Sequence, residues 1–296
     1  MKITKEDIIS VVFLLPLYAF LSVMVFIPIL NVILGSFGIS LFGLSMGKVK
    51  GPVLDGYLNF VNPSKPYLYS LFFTIYISVI ATVISVAAGY LFAIYLTVKR
   101  PPIWSKISSI MTIPLFTPYV VGAFMWWTLL FPRGYLAIVI NRILMGLGLT
   151  KGPIPLVNDP YGIGILFGEV WIRFVISFMI FYGPLQLISR DLVDAARSLG
   201  ASTWQVILKV YIPLTKYAIV ATSAIVLLAT MAGISIPLIL GGSWPQFLNV
   251  MIYLDVTKTF DFISAYTSGV FYLVASAVLG YILFRFTARR IEFQVR

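Results

Sequence analysis

The sequence predicts an all-α polytopic membrane protein with six transmembrane helices. Of its 296 residues, 60% are apolar and only 10% are charged, and the mean hydropathy is +1.01. A soluble domain carries about 25% charged residues, so a lipid bilayer must solvate much of this surface. A spanning helix needs roughly 20 mainly apolar residues. Runs of this kind lie at residues 8–34, 71–96, 107–131, 162–187, 217–240 and 265–284.

Two of these runs carry features that affect their interpretation. The first follows Lys2 and Lys5, as the core of a secretory signal peptide would. It is far longer than the roughly 7–15 residues of a signal core, and no small-residue cleavage site follows it, so it predicts a retained helix. In the third run, Pro114 and Pro118 predict a bend near the middle of the membrane.

Lysine and arginine are divided unequally between the two sides of this topology. The side with both termini carries Lys2, Lys5, Lys99, Arg100, Lys106, Arg190, Arg197, Lys209, Lys216, Arg285, Arg289, Arg290 and Arg296. The other side carries Lys48, Lys50, Lys65, Arg133, Arg142, Lys151 and Lys258. By the positive-inside rule, both termini are cytoplasmic in a plasma-membrane protein, and loops at about 35–66 and 132–161 are external. The net charge of +11 then lies mainly at the cytoplasmic membrane surface and requires no nucleic acid.

The chain contains no cysteine and no histidine. This composition excludes thiolate nucleophiles, thiolate or imidazole metal sites, Ser-His triads and disulfides. Most of the ten carboxylates lie in loops or at helix ends. The neighbouring pairs Asp191/Asp194 and Asp255/Asp261 are more typical of solvated charges than of an acid/base pair. No catalytic residue and no metal site is therefore predicted.

The segment from Gly43 to Val49 is the nearest approach to a nucleotide-binding loop. Three residues separate Gly43 from Gly47 where a phosphate-binding loop has four, and Val49 occupies the position of the Mg²⁺-binding Ser or Thr. The segment also falls on the external side of the predicted topology. We therefore expect this chain to bind no ATP and no other cofactor.

A hydrophilic segment between the fourth and fifth runs, residues 189–213, is predicted to form two short helices joined by a sharp turn. Ser189 can cap the first helix, and Gly200 suits the left-handed position after its end. Ser202 and Gln205 form a capping box for the second helix.

The second predicted helix has one apolar face, because Trp204, Ile207, Leu208 and Tyr211 follow the helical period. Pro213 is expected to end this helix before the next span begins. From periodicity alone, an ordinary amphipathic helix lying on the cytoplasmic leaflet is an equal alternative.

The order of residues in this segment resembles a known signature. It reads Asp194-Ala-Ala, three residues, Gly200, nine residues, then Val210-Tyr-Ile-Pro213. The EAA loop of permease subunits in binding-protein-dependent ABC importers reads Glu-Ala-Ala, Gly and Ile-x-Leu-Pro at the same spacing. Asp replaces Glu, Val replaces Ile, and Ile replaces Leu.

The resemblance extends over roughly residues 65–290. Ile113-Pro-Leu-Phe-Thr-Pro118, Trp126-Trp127 and Phe131-Pro-Arg-Gly134 are similar to the third span of sugar permeases. Leu240-Gly-Gly-Ser-Trp-Pro245 is similar to the turn after the fifth span in the maltose and glycerol-phosphate type, with two residues inserted before the proline.

This resemblance implies a type I ABC importer permease fold and a division of the chain. Residues 1–64 would form the first transmembrane helix and an external loop, 65–290 the importer transmembrane domain with a coupling loop at 188–214, and 291–296 a cytoplasmic tail. The coupling loop would dock into a groove on a separate ATPase. The residues expected to carry this contact are Asp194, Ala195, Ala196, Gly200, Trp204, Ile207 and Pro213.

The resemblance also implies partners and a substrate. The partners would be a second permease subunit in a heterodimer, two ATPase subunits that bind ATP and Mg²⁺, and an extracytoplasmic solute-binding protein. The implied substrate is a glucose- or maltose-like mono- or disaccharide, with an amino acid, polyamine, phosphate or peptide as alternatives. An ion-coupled secondary carrier and a membrane enzyme are disfavoured, because the spans contain one clear carboxylate and lack catalytic groups.

Glu169 and Arg173 are the clear ionisable residues inside a predicted span, which makes them functional candidates. They lie four residues apart on one helix face in the favourable order, with Arg173 near the membrane midplane. They form either a self-neutralising structural pair or part of the substrate path, together with Trp171, Tyr119 and Trp126.

The predicted topology can be tested with single engineered cysteines, because the chain has no native cysteine. Asn62→Cys and Asn158→Cys should react with a membrane-impermeant maleimide in intact cells, since both lie in predicted external loops. Ser202→Cys should react only after the membrane is opened. Labelling of Ser202→Cys from outside would contradict the coupling role.

Overall fold

The computed structural model describes residues 5–39, 54–99, 107 and 110–288. Every regular element in these residues is helical. The helices are α1 Lys5–Ser36, α2 Asp55–Val61, α3 Tyr67–Lys99, α4 Ile113–Phe116, α5 Tyr119–Leu130, α6 Tyr135–Gly146, α7 Ile163–Gln186, α8 Arg190–Ser198, α9 Thr203–Val206, α10 Ile212–Ala232, α11 Ser235–Leu240, α12 Leu248–Leu254 and α13 Phe262–Ala288, with π-helical turns at Ile207–Tyr211 and Asp255–Thr259.

The helices confirm an all-α polytopic membrane protein. Five helical segments among the described residues are long and apolar enough to cross a membrane. Helices α5 and α6, which are bent by 46° at a short break, can together form a sixth span. The five segments are Leu14–Ser36, Tyr67–Val98, Ile163–Gln186, Thr203–Ala232 and Phe262–Arg285.

The third predicted span is broken. α4 ends at Phe116, and α5 begins at Tyr119 after Thr117 and Pro118. Thr117 has an extended backbone, φ −84° and ψ 121°, because a residue before proline is sterically disfavoured in the helical region. The helix is therefore interrupted at Pro118, where the sequence predicts a bend. Pro114, in contrast, lies in the first turn of α4, where proline is tolerated.

The prediction that Pro213 ends a helix is wrong. Helical structure runs without a break from Thr203 to Ala232, across the π-helical turn Ile207–Tyr211. The N–H of Ile212 donates to the carbonyl of Ile207 in the wider π pattern. Pro213 then lies in the first turn of α10, where its missing N–H disturbs the helix least. The fifth span also ends at Ala232 instead of residue 240, since Gly233 is extended.

The chain forms two compact units. Among the described residues, unit 1 combines those up to Leu68 with Met251–Leu273, and unit 2 combines those from Tyr69 to Val250 with those from Val274 onwards. In unit 1, the ring of Phe60 stacks on that of Phe271 with centroids 3.9 Å apart. The hydroxyl groups of Ser36 and Tyr57 lie 2.7 Å apart in a hydrogen bond that ties the end of α1 to α2.

In unit 2, small residues let α3 and α7 approach closely. A Cβ atom added at Gly89 would lie 2.7 Å from Ser177 Cβ, 2.8 Å from Phe178 N and 3.0 Å from Phe174 O. Close backbone approach of this kind is a main source of helix association in membranes. The same face of α3 buries a row of hydroxyl-bearing residues: Ser70, Thr74, Ser78, Thr82 and Ser85.

Gly89→Ala should destabilise unit 2 by about 1–3 kcal/mol, because the backbone atoms of α7 cannot retract as a flexible side chain could. The measurement is the temperature at which the detergent-solubilised protein loses its monodisperse chromatographic peak. Gly183→Ala is the matched control, since a Cβ atom there would meet nothing within 4 Å. Equal melting temperatures for the two variants would contradict the proposed close contact.

Candidate functional site

The 189–213 loop begins as its sequence predicts. The first helix, α8, starts after Ser189, whose Oγ accepts a hydrogen bond of 3.2 Å from the N–H of Asp191. Ser202 caps α9 in the same way: its Oγ accepts from the N–H of Gln205, and its own N–H donates to Gln205 Oε1. The predicted N-cap and capping box are both confirmed.

The joint between the two helices depends on Gly200. This residue has φ +84°, in the left-handed region that favours glycine. Its N–H donates to Arg197 O at 2.9 Å, and the N–H of Ala201 donates to Ala196 O at 3.1 Å, which together form a Schellman motif. The predicted left-handed C′ position is confirmed, and it fixes the direction in which α9 leaves α8.

The outward face of the loop differs from the predicted apolar face. Val206 and Tyr211 are buried, whereas Trp204 is 60% exposed and Leu208 is 47% exposed. The helical period failed here because α9 has a single turn and the π-helical turn adds a residue to the next one. Leu199, 89% exposed beside Gly200, was not predicted at all.

The other residues expected in the coupling contact lie mainly at the surface. Asp194, Ala195, Gly200 and Pro213 are exposed, and Ala196 and Ile207 are half-buried. Among the described residues, Asp194 makes no ion pair within 4 Å. It lines a cavity of about 250 Å³ whose other walls include Arg190, Arg197, Gln186 and Tyr211.

The second candidate feature is the charge pair inside α7. Arg173 Nε donates to Glu169 Oε2 at 3.1 Å, and the two side chains are only 4% and 1% exposed. A buried ion pair is strongly destabilised when one partner is removed, because the other charge then lacks compensation. The predicted proximity of the two residues on one helix face is confirmed.

Arg173 also binds the end of α10. Its Nη2 donates to Ala229 O at 2.7 Å, and its Nε lies 3.2 Å from Thr230 Oγ1. Asn249, in α12, donates from Nδ2 to the carbonyl oxygens of Met231 and Gly233. The sequence did not indicate Thr230 or Asn249. No local pattern shows that Thr230 lies beside Arg173 or that Asn249 reaches the end of α10.

The three aromatic candidates fall into two groups. The ring of Tyr119 faces the guanidinium of Arg173, and Arg173 Cζ lies 5.8 Å from the centroid of that ring. Trp126 instead packs against Phe167 and Trp171, at centroid distances of 5.6 and 6.3 Å. Trp126 and Trp171 line an apolar cavity of about 540 Å³ whose walls do not include the charge pair. The structure therefore brings only Tyr119 to Glu169 and Arg173.

Asp255, in unit 1, is not solvated as the sequence analysis expected for the pair Asp255/Asp261. Its side chain is buried, and burial is the main reason that its pKa rises to about 6. The nearby Asp261 carboxylate raises this pKa further, while hydrogen bonding from Tyr67 and Thr259 opposes the rise. Asp261 accepts a hydrogen bond from the N–H of Ser264 near the start of α13.

Two sequence predictions concern a nucleotide-binding loop and a metal site. The Gly43–Val49 segment lies outside the described residues. Within the described residues, no group of three or more Asp or Glu side chains is arranged to hold a metal ion.

Comparisons with known proteins place these features in a family. Residues 88–293 match the model of the binding-protein-dependent transport system inner membrane component. The spermidine/putrescine transport system permease protein PotB of Haemophilus influenzae is 26% identical over 230 residues, which are 77% of this chain and 78% of that protein. PotB of Escherichia coli is 27% identical over 64% of this chain and 66% of its own length.

A ferric permease and an alginate importer are also similar to this chain. The putative ferric transport system permease protein FbpB 1 of Haemophilus influenzae is 30% identical over 71% of this chain, but only 32% of that longer protein is covered. A bacterial ABC transporter involved in the import of alginate has a chain with a TM-score of 0.73, 17% identity and 97% coverage of both chains. Since the family match spans most of the chain, this protein belongs to the inner membrane components of binding-protein-dependent transport systems and is a non-catalytic, multi-pass permease subunit of an ABC importer.

Proposed function

We propose that this permease conducts a small organic cation of the polyamine class into the cell. It would pair with a second permease subunit, receive the solute from an extracytoplasmic binding protein, and depend on two ATPase subunits that bind ATP and Mg²⁺. PotB of Haemophilus influenzae, a spermidine/putrescine permease, aligns over most of both chains, whereas only 32% of the ferric permease FbpB 1 is covered. This difference favours the polyamine alternative over the glucose- or maltose-like sugar that the motif resemblance suggested.

The likeness to the alginate importer does not support a sugar substrate, because at 17% identity it concerns the fold alone. The family assignment disfavours an ion-coupled carrier and a membrane enzyme. In an ABC importer, a separate ATPase supplies the energy and carries the catalytic activity.

The observation that carries the cation proposal is the set of groups around Arg173. A carboxylate oxygen of Glu169, the hydroxyl of Thr230, the carbonyl of Ala229 and the ring of Tyr119 all face one positive group. Carboxylates, carbonyl oxygens and aromatic faces are the groups that bind an ammonium ion. These groups hold the guanidinium of Arg173, and the same chemistry supports a cationic solute.

Coupling to the ATPase is assigned to the 189–213 loop, within an importer domain at 65–290. Leu192, Leu199, Trp204 and Leu208 expose large apolar surfaces there. Exposed apolar side chains on a polar loop are typical of a surface that binds another protein. We place this loop and both termini on the cytoplasmic side, with residues 1–64 as the first span and external loop and 291–296 as the tail.

The substrate assignment predicts uptake of putrescine or spermidine by the whole importer. The complex with its binding protein, reconstituted in proteoliposomes, should accumulate radiolabelled putrescine in an ATP-dependent manner. Maltose or glucose should neither be accumulated nor compete with putrescine. Uptake of the sugars without uptake of the polyamines would overturn this assignment and restore the sugar alternative.

The coupling assignment predicts that Gly200→Val abolishes uptake and weakens co-purification of the ATPase subunits. A Cβ atom at Gly200 would meet nothing within 4 Å, so the loss would come from the backbone at φ +84° and not from a clash. A β-branched residue is strained in this conformation by about 1 kcal/mol or more, which should redirect α9 and Trp204.

Gly200→Asn is the matched control, because asparagine tolerates the left-handed conformation and should retain coupling. Asp194→Lys, which reverses an exposed charge on the same loop, should lose uptake as Gly200→Val does. Binding of solute to the isolated external protein should not change in any variant. Full uptake and full solute-stimulated ATP hydrolysis in both Gly200→Val and Asp194→Lys would show that the loop is only a surface helix.

A further inference from the structure

Two buried acceptor oxygens beside Gly233 are left unused by the described residues. One is Glu169 Oε1, the carboxylate oxygen that does not bind Arg173, and the other is Asn249 Oδ1. Native proteins satisfy most buried polar atoms, so an unpartnered carboxylate oxygen in a dry interior needs a physical explanation. Both atoms are pure hydrogen-bond acceptors, which indicates that the missing partner is a donor.

Gly233 is what keeps the carboxylate oxygen uncovered. A Cβ atom added at this position would lie 3.0 Å from Glu169 Oε1 and 3.4 Å from the carbonyl oxygen of Thr230. The carbonyl oxygen of Gly233 itself accepts from Asn249 Nδ2. The Glu169 carboxylate from α7, Arg173 Nη2 at 3.5 Å from the same Cβ position, and the side-chain amide of Asn249 from α12 therefore all lie beside Gly233.

The electrostatic environment favours a positively charged donor. α10 ends at Ala232, so the negative end of its dipole lies at this place. Arg173 already occupies part of the site, with one oxygen of Glu169, one carbonyl and one aromatic face as partners. The guanidinium of Arg173 thus acts as an internal cation on a carboxylate whose second oxygen stays available.

We propose that Glu169 Oε1 and Asn249 Oδ1 bind an alkylammonium group of the transported solute, which competes with Arg173 for the Glu169 carboxylate. This inference rests on the proposed polyamine-type function and adds the site at which the cation is recognised. A primary ammonium carries three donors and no acceptor, which matches the acceptors around Gly233. A buried carboxylate can balance one cation at a time, so binding of the ammonium favours release of Arg173.

Helix α10 connects this exchange to the 189–213 loop. Helical structure is continuous from Thr203, within the loop, to Ala232, whose neighbours bind Arg173 and Asn249. A displacement of the loop would therefore move the carbonyl groups that hold Arg173. Movement at the loop would therefore alter the ammonium site through this helix.

The first test uses Arg173→Met, which removes the internal cation and leaves Glu169 unpaired. This variant complex should melt at a lower temperature than wild type, and methylammonium or putrescine should raise its melting temperature by binding the free carboxylate. Neither amine should stabilise the double variant Glu169→Gln/Arg173→Met, which lacks the carboxylate. Stabilisation of the double variant equal to that of Arg173→Met would overturn the site.

The second test does not depend on a destabilised protein. Glu169→Gln/Arg173→Gln removes both charges, leaves no unpaired buried charge and retains polar side chains of similar size. In proteoliposomes its KM for putrescine should rise about tenfold or more. Gly233→Ala should raise KM in the same direction, because its Cβ atom would lie against Glu169 Oε1, whereas Gly183→Ala should behave as wild type.

The outcomes separate the site from the proposed function. Putrescine uptake with a normal KM in Glu169→Gln/Arg173→Gln would overturn the site while leaving a polyamine permease intact. Absence of polyamine uptake in wild type would overturn the function itself. A raised KM in Glu169→Gln/Arg173→Gln, together with amine rescue of Arg173→Met, would support both.

Discussion

The last turn of α10 is the feature on which the interior of unit 2 depends. A helix that ends in a dry environment leaves carbonyl oxygens that water cannot satisfy. Arg173 from α7 and Asn249 from α12 donate to two of these carbonyls, those of Ala229 and Met231, and Asn249 also donates to that of Gly233 just after the helix. The positive charge of Arg173 also lies at the negative end of the helix dipole, and Glu169 balances it. The pair is therefore more than self-neutralising, because it joins two helices.

At the opposite end of the same helical segment, near Thr203, local backbone conformation sets the course of the chain. The left-handed Gly200 directs the chain into α9, and the π-helical turn Ile207–Tyr211 lets helical structure continue into α10 despite Pro213. A proline at this position suggests a hinge, yet the helix is continuous across it. The loop is thus joined to the carbonyls that bind Arg173 and Asn249 by one uninterrupted helical segment.

What could be predicted from the sequence follows from the distance between interacting residues. Ser189, Gly200 and the Ser202–Gln205 box act within one helical turn, so their signals are local and the structure agrees with them. The composition likewise predicts the spans, because lipid selects apolar runs. Asn249 meets carbonyls 16 and 18 residues earlier in the chain, and no periodicity indicates that contact. The π-helical turn was missed because a period of 3.6 assumes a uniform helix.

The same distinction explains why the motif resemblance favoured a sugar while the relatives favour a polyamine. In the proposed topology the signature loop contacts the ATPase, and an ATPase contact places no chemical demand on the solute. Groups that select the solute must instead lie along the path, where tertiary packing brings distant residues together. Glu169 is indicated by the sequence as an ionisable residue in a span, but its free oxygen depends on Gly233 and Asn249. In the proposed function, selectivity for a cation therefore depends on an arrangement that tertiary packing creates and that no local sequence pattern indicates.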